Sequence, residues 1–339
     1  MKLPFTKRMG DIKCPCPGGV YKATLLFALL FCLQTSHAQA PVSQKTRDLF
    51  NAIRSGSSSG LETQLKNGAD PNDSLEGYTA LMGATLSGSA EQMKILINQG
   101  ARVNALTQSA VSALWLAAPD WDKTRLLLEN GADAKQQVRG YGLLVKIAAM
   151  PGTLDLAKLL IEKGADPKKA APDNYLIYNA ASSGDTAILG FYLRLGFSPN
   201  DTIASGDIPL NGALFYRSSA TIKMLIDNGA NVNSHGSSFQ LSSFDGFTPL
   251  MFAAVGNDKA SFYYLLDHGA DPNLKNKNGY TALMLLQQAE EDDPAMTKAL
   301  LDHGAEPNIK TPAGKDALHF AMQKGNTESV TILKKYTVQ

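Results

Sequence analysis

Cysteine is almost missing from this chain. The three present, Cys14, Cys16 and Cys32, fall in the first tenth of 339 residues, which leaves the rest without a disulfide framework or a cysteine-ligated metal site. No excess of one charge exists either: 32 Lys+Arg face 31 Asp+Glu, so nothing in the balance points to nucleic acid or an anionic membrane as the main partner. Aromatic residues are sparse at 8%, yet the hydrophobic fraction of 44% is enough to bury a core and excludes a disordered polymer. Long apolar runs are lacking as well. A spanning helix needs about 20 apolar residues; the run at 23–33, ATLLFALLFCL, has eleven.

That run follows Lys22 and precedes the small residues of QTSHAQA, which is the layout of a secretory signal. Residues 1–38 are expected to be an N-terminal extension and signal removed by cleavage after Ala38, with 39–45 as a linker and 46–339 as the folded domain. The expected location is the periplasm. Acylation at Cys32 is disfavoured, because Phe31 stands where a lipoprotein signal has a small residue. Without residues 1–38 the chain carries 27 basic and 30 acidic groups, a net charge of −3.

What the chain does have is a repeat. The phrase NGADPN at 67 returns as QGARVN, NGADAK, KGADPK, LGFSPN, NGANVN, HGADPN and HGAEPN, with glycines at 68, 100, 131, 164, 196, 229, 269 and 304. The gaps are 32, 31, 33, 32, 33, 40 and 35 residues. A second phrase keeps step with it: YTALMGA at 78, VSALWLAA at 111, FTPLMFAA at 247, YTALMLL at 280 and KDALHFAM at 315. In Gly246-Phe247-Thr248-Pro249-Leu250 the threonine suits an N-cap and the proline the first helical position, where its missing N–H costs nothing. A short helix is expected there, then a break at Gly256-Asn257, then a second helix stopped by Gly269. Each unit reads as a helical hairpin plus an extended connector, and hairpin counting finds nine units. One hairpin cannot bury its own apolar stripe, so stability must come from stacking.

The pattern G-x-T-P-L-x-x-A-A followed by L-L-x-x-G-A-D-x-N resembles the ankyrin repeat over residues 46–336. The resemblance implies an all-α solenoid of about nine helix-turn-helix repeats with β-hairpin-like connectors. It also implies a non-catalytic module whose concave groove and connector tips contact a partner protein.

Departures from the pattern are where specificity is expected. The third unit is two residues short, with Pro119-Asp120-Trp121 in place of the usual turn. The eighth is two residues longer through Glu290, Glu291, Asp292 and Asp293, whose spacing does not match a calcium loop and which suit the start of the next helix. The largest departure, seven extra residues between Asn233 and Gly246, projects a connector that carries Phe239, Leu241 and Phe244. The expected centre of the interface is Phe215, Tyr216, Phe239, Phe244 and Phe247, with Tyr78, Trp115 and Tyr280 as outlying contributors. For Phe239 and Phe244 the reading that they fold back over the base of the insertion stays open.

No catalytic constellation is found, so no enzyme, cofactor or metal is expected. His268 and His303 precede helix-ending glycines, where an imidazole can meet carbonyls. His319 takes the histidine place of a T-P-L-H phrase, and His235 has no neighbouring histidine or cysteine. The aspartates at 70, 133, 166 and 271 recur because each turn needs one. Expected partners exclude nucleic acid and, once the signal is cleaved, stable membrane insertion. Two alternatives remain within binding: an immunity or inhibitor protein that sequesters a toxic periplasmic enzyme, and a chaperone-like supporter of a stress-defence enzyme. An enzymatic or metal site on the 234–245 insertion is the remaining class.

Overall fold

The computed structural model describes residues 42–236, 246–289 and 291–337. The signal expected at 1–38, with Cys32, lies outside them. The described residues form two compact units that part between Pro172 and Asp173.

The first unit, 42–172, holds four helical hairpins: α1 (Gln44–Arg54) with α2 (Ser58–Lys66), α3 (Ala80–Ser87) with α4 (Ala90–Asn98), α5 (Ala113–Ala117) with α6 (Trp121–Glu129), and α7 (Leu143–Ala148) with α8 (Leu154–Glu162). Two connectors form short antiparallel ribbons, β1 (Ser74–Leu75) with β2 (Tyr78–Thr79) and β3 (Gln137–Val138) with β4 (Tyr141–Gly142). The second unit holds five hairpins: α9 (Tyr175–Ser182) with α10 (Thr186–Arg194), α11 (Pro209–Phe215) with α12 (Ser219–Asp227), α13 (Pro249–Val255) with α14 (Lys259–Asp267), α15 (Ala282–Leu286) with α16 (Pro294–Asp302), and α17 (Ala317–Lys324) with α18 (Thr327–Thr337). Nine hairpins among the described residues match the nine read from the sequence.

Local chemistry explains where these helices begin and end. Thr79, Ser112, Thr248 and Thr281 cap α3, α5, α13 and α15 by accepting from the amide three residues on, and Pro249 occupies the first turn of α13. All eight glycines of the repeated phrase have φ between +82° and +99°, the left-handed region that terminates a helix and that a Cβ disfavours.

Stacking supplies the core. Leu49, Ile53, Leu81, Met93, Leu96 and Leu127 are buried in the first unit, and Leu189, Leu210, Leu225, Phe262, Leu265 and Leu300 in the second. Each such side chain contributes about 1.5–3 kcal/mol, and helices pack both within a hairpin and against those of adjacent repeats.

Two polar devices join one repeat to the next. The first is an asparagine rung at the end of the repeated phrase. Asn104 Nδ2 donates to Gly131 O at 2.9 Å while the Asp133 amide donates to Asn104 Oδ1 at 2.8 Å. Asn72, Asn200, Asn233 and Asn273 make the same pair of bonds. The third and fourth repeats carry Lys135 and Lys168 at that place instead.

The second device satisfies carbonyls at or just beyond the end of an inner helix, which have no partner within it. Gln92 donates to Ala52 O, Lys123 to Thr85 O and Gly88 O, Lys146 to Trp115 O and Ala118 O, Thr221 to Ala181 O, Arg217 to Gly256 O and Asn326 to Gln287 O. The eighth repeat's extra residues serve donors instead. Asp293 caps α16 and pairs with Lys259 at 2.7 Å, while Asp292 accepts from the amides of Glu328 and Ser329 and from the Ser329 hydroxyl.

Candidate protein-interaction surface

Inner helices and connectors place the described members of the aromatic set singled out above at different points of their repeats. Phe247 is the clear correction. Its ring is 1% exposed and lies 5.3 Å from Phe252, edge to face, so it is a core residue and not a contact. Gly236 N donates to Phe247 O at 3.1 Å and Gly246 N donates to Gly236 O at 2.9 Å, the same pair of connector bonds that Asn276 and Gly279 make around half-buried Tyr280, so the burial of Phe247 comes from what packs on its side chain and not from these bonds. Phe239, Leu241 and Phe244 lie outside the described residues.

Phe215 and Tyr216 end α11, with rings 5.3 Å apart and Tyr216 40% exposed. Seven residues of helix, about 10 Å at 1.5 Å per residue, separate them from the connector at Pro209. Tyr216 therefore projects at the turn between the helices of its hairpin, not beside Phe247. Tyr78, half-buried, sits in β2 of the first unit opposite Leu75. Trp115 is half-buried in the same unit, with Lys146 Nζ 5.4 Å from its ring and 2.7 Å from its carbonyl oxygen. Burial pulls the Lys146 ammonium down to about 8. Trp121, at the shortened turn, is 41% exposed.

Tyr280 stands in a cluster that sequence reasoning missed. Its ring lies 5.5 Å from Phe320, which His319 meets edge-on at 5.7 Å and Lys315 Nζ approaches at 5.9 Å. His319 is exposed, with its ring against the buried Phe320. The signal was available: Tyr280 and Lys315 occupy the same register of consecutive repeats, each just after a turn glycine.

A second missed group is polar. Asp207, half-buried, accepts from the Tyr178 hydroxyl at 3.1 Å, the Ile208 amide at 3.0 Å and the Asn211 amide at 3.3 Å. Burial nonetheless holds its carboxyl above the usual carboxylate range.

The histidines expected to be structural are so placed. His268 Nδ1 lies 2.7 Å from Tyr264 O and His303 Nδ1 lies 2.8 Å from Ala299 O, each at the end of an outer helix. Asp70, Asp133, Asp166 and Asp271 each accept from the amide two residues on at 2.8–2.9 Å, so every one of these turn carboxylates closes its own turn. Among the described residues no three His, Cys, Asp or Glu side chains converge as metal ligands, and no helix is long and apolar enough to cross a membrane.

Comparison with known proteins agrees with this architecture. The family model described as ankyrin repeats (three copies) matches residues 49–138, 177–276 and 235–310. An ankyrin repeat-containing protein of Schizosaccharomyces pombe is 29% identical over 125 residues, covering 36% of this chain and 54% of its own length. An ankyrin repeat protein of fowlpox virus is 27% identical over 136 residues, covering 40% of this chain and 38% of its own. The chain thus spans about half the length of the first and less of the second. Among solved structures, the human ASB11 ankyrin repeat domain superposes with a TM-score of 0.56 at 27% identity, over 68% of this chain and all of that one.

Proposed function

Because the chain belongs to the ankyrin-repeat family, whose repeats are protein-binding modules, we propose that it is a non-catalytic module that holds a partner protein against inner-helix ends and connector tips. One observation carries the reading. Where the second and seventh repeats have Ser87 and Gly256 at the end of the inner helix, the sixth has Tyr216, 40% exposed and braced edge-on by Phe215. Stacking needs no aromatic there, and an exposed tyrosine held by its neighbour is the type of anchor that interfaces use. The turn carboxylates and two of the histidines are already engaged in the backbone, which supports a binding role over chemistry.

The same proposal includes export of a bacterial protein to the periplasm by residues 1–38, with the partner met there. It rests on the apolar run at 23–33 and the small residues before Ala38. N-terminal sequencing of the mature protein checks it, with Gln39 expected as the first residue.

A photo-crosslinking amino acid at position 216, set against one at the outer-helix residue Tyr263, tests the binding face in the native cells. A discrete adduct from 216 alone, lost when Phe215 is replaced by Ser, supports the reading. Equal adducts from both positions, or none from 216, overturn it.

A further inference from the structure

The net charge leaves little room for electrostatic steering, but the charge is not evenly spread. Residues 173–339 carry 12 Lys+Arg against 17 Asp+Glu, a net charge of −5. Within that anionic half, the connector tips of the seventh and eighth repeats run against the trend. Residues 272–281 contain Lys275 and Lys277, residues 307–315 contain Lys310 and Lys315, and neither stretch has a carboxylate.

The two tips stand side by side. A Cβ placed on Gly279 would lie 2.6 Å from the Pro312 ring, and one placed on Gly246 would lie 2.9 Å from the Lys277 amide nitrogen, so successive tips touch backbone to backbone. Lys275, Lys277 and Lys310 are exposed. Two lysines elsewhere in this unit are tied down: Lys259 pairs with Asp293 at 2.7 Å and Lys298 with Asp302 at 2.6 Å. Among the described residues Lys275, Lys310 and Lys315 form no ion pair. Lys315 bends instead over the Phe320 face, beside Tyr280 and His319, so the lysine row ends on an aromatic floor.

We propose that these two tips, with Tyr280 and His319, bind an acidic, extended segment of a partner protein that carries at least one apolar side chain. The proposal rests on the protein-binding role argued above and names the chemistry of the partner. Carboxylates would meet the lysines, and the apolar side chain would cover the half-buried Tyr280. Nucleic acid fits less well. No arginine stands in either tip to make the bidentate contacts that phosphates favour.

The test is fluorescence anisotropy with the full chain and three labelled probes: a 14-residue Glu/Asp peptide containing two leucines, its Gln/Asn counterpart, and a 14-nucleotide single strand. The acidic peptide is expected to bind at least tenfold tighter than either other probe and to weaken at least tenfold between 50 and 300 mM salt. The variant K275E/K277E/K310E is expected to lose at least tenfold in affinity for that peptide while melting with the parent chain. Equal binding of the Gln/Asn peptide, tighter binding of the oligonucleotide, or an unaffected variant overturns the proposal. Crosslinking from position 216 reads a separate part of the surface. An adduct there with no lysine-dependent peptide binding sinks this inference and leaves the protein-binding reading standing, whereas loss of both sinks both.

Discussion

Replacing Lys135 with asparagine is expected to stabilise the first unit, because it supplies the rung that the third repeat lacks. In the neighbouring step Asn104 makes two bonds, to Gly131 O at 2.9 Å and from the Asp133 amide at 2.8 Å. The counterparts one repeat later are Gly164 O and the Asp166 amide, and the spacing of 33 residues from Gly131 to Gly164 matches that from Gly196 to Gly229, a step Asn200 bridges. The lysine stem now lies there, with its Cε 3.1 Å from where a Cβ on Gly164 would be. A cavity of about 290 Å³ opens at the same joint, lined by Lys135, Gly142, Leu143, Gly164, Asp166 and Lys169, so a shorter side chain meets no steric obstacle. Each solvent-accessible hydrogen bond nets about 0.5–1 kcal/mol, so Lys135→Asn should add about 1–2 kcal/mol, and Asn104→Ala should remove a similar amount. Two readouts apply. Chemical denaturation gives the size, and amide exchange gives the place: the Asp166 amide should become protected in Lys135→Asn, and the Asp133 amide should lose protection in Asn104→Ala. If Asn104→Ala costs more than 1 kcal/mol while Lys135→Asn leaves both stability and Asp166 exchange unchanged, the rung does not transfer between repeats and the reasoning fails.

Phe247→Ala should cost about 3–5 kcal/mol as a buried aromatic truncation, whereas Tyr216→Ala should stay within about 0.5 kcal/mol; thermal melts separate the core residue from the surface one. Lys146 has a folded pKa of about 8, below the ordinary lysine value of 10.5. Between those values the unfolded chain binds the extra proton, so stability should rise with pH from 8 to 10.5, by up to about 3 kcal/mol. Lys146→Met should flatten that rise in urea midpoints taken across the range, and an identical rise in both proteins would remove Lys146 as its source. Asp292→Ala removes the acceptor for the Glu328 and Ser329 amides and should cost about 1–2 kcal/mol, read as faster amide exchange confined to α18.

How far the sequence reveals this molecule depends on what repeats. The left-handed glycine, the Thr or Ser N-cap and the turn aspartate answer demands that every hairpin makes with the same few side chains, so they recur with the period and are legible. Carbonyls at the ends of inner helices make an equally general demand, but it is met by different residue types: Gln92, Lys123 and Thr221 from one register, eight residues before the turn glycine, and Lys146, Arg217 and Asn326 from others. With no shared residue type there is no phrase to find. Phe247 and Tyr280 show the limit most sharply. Both follow a turn glycine one repeat apart, and the pattern treats them alike. Tyr280 remains half-buried beside Phe320, whereas Phe247 is enclosed, although the connector makes the same backbone bond to each, Asn276 N to Tyr280 O and Gly236 N to Phe247 O. Register assigns both residues the same place and the same backbone bonds, so it cannot tell the core residue from the half-buried one.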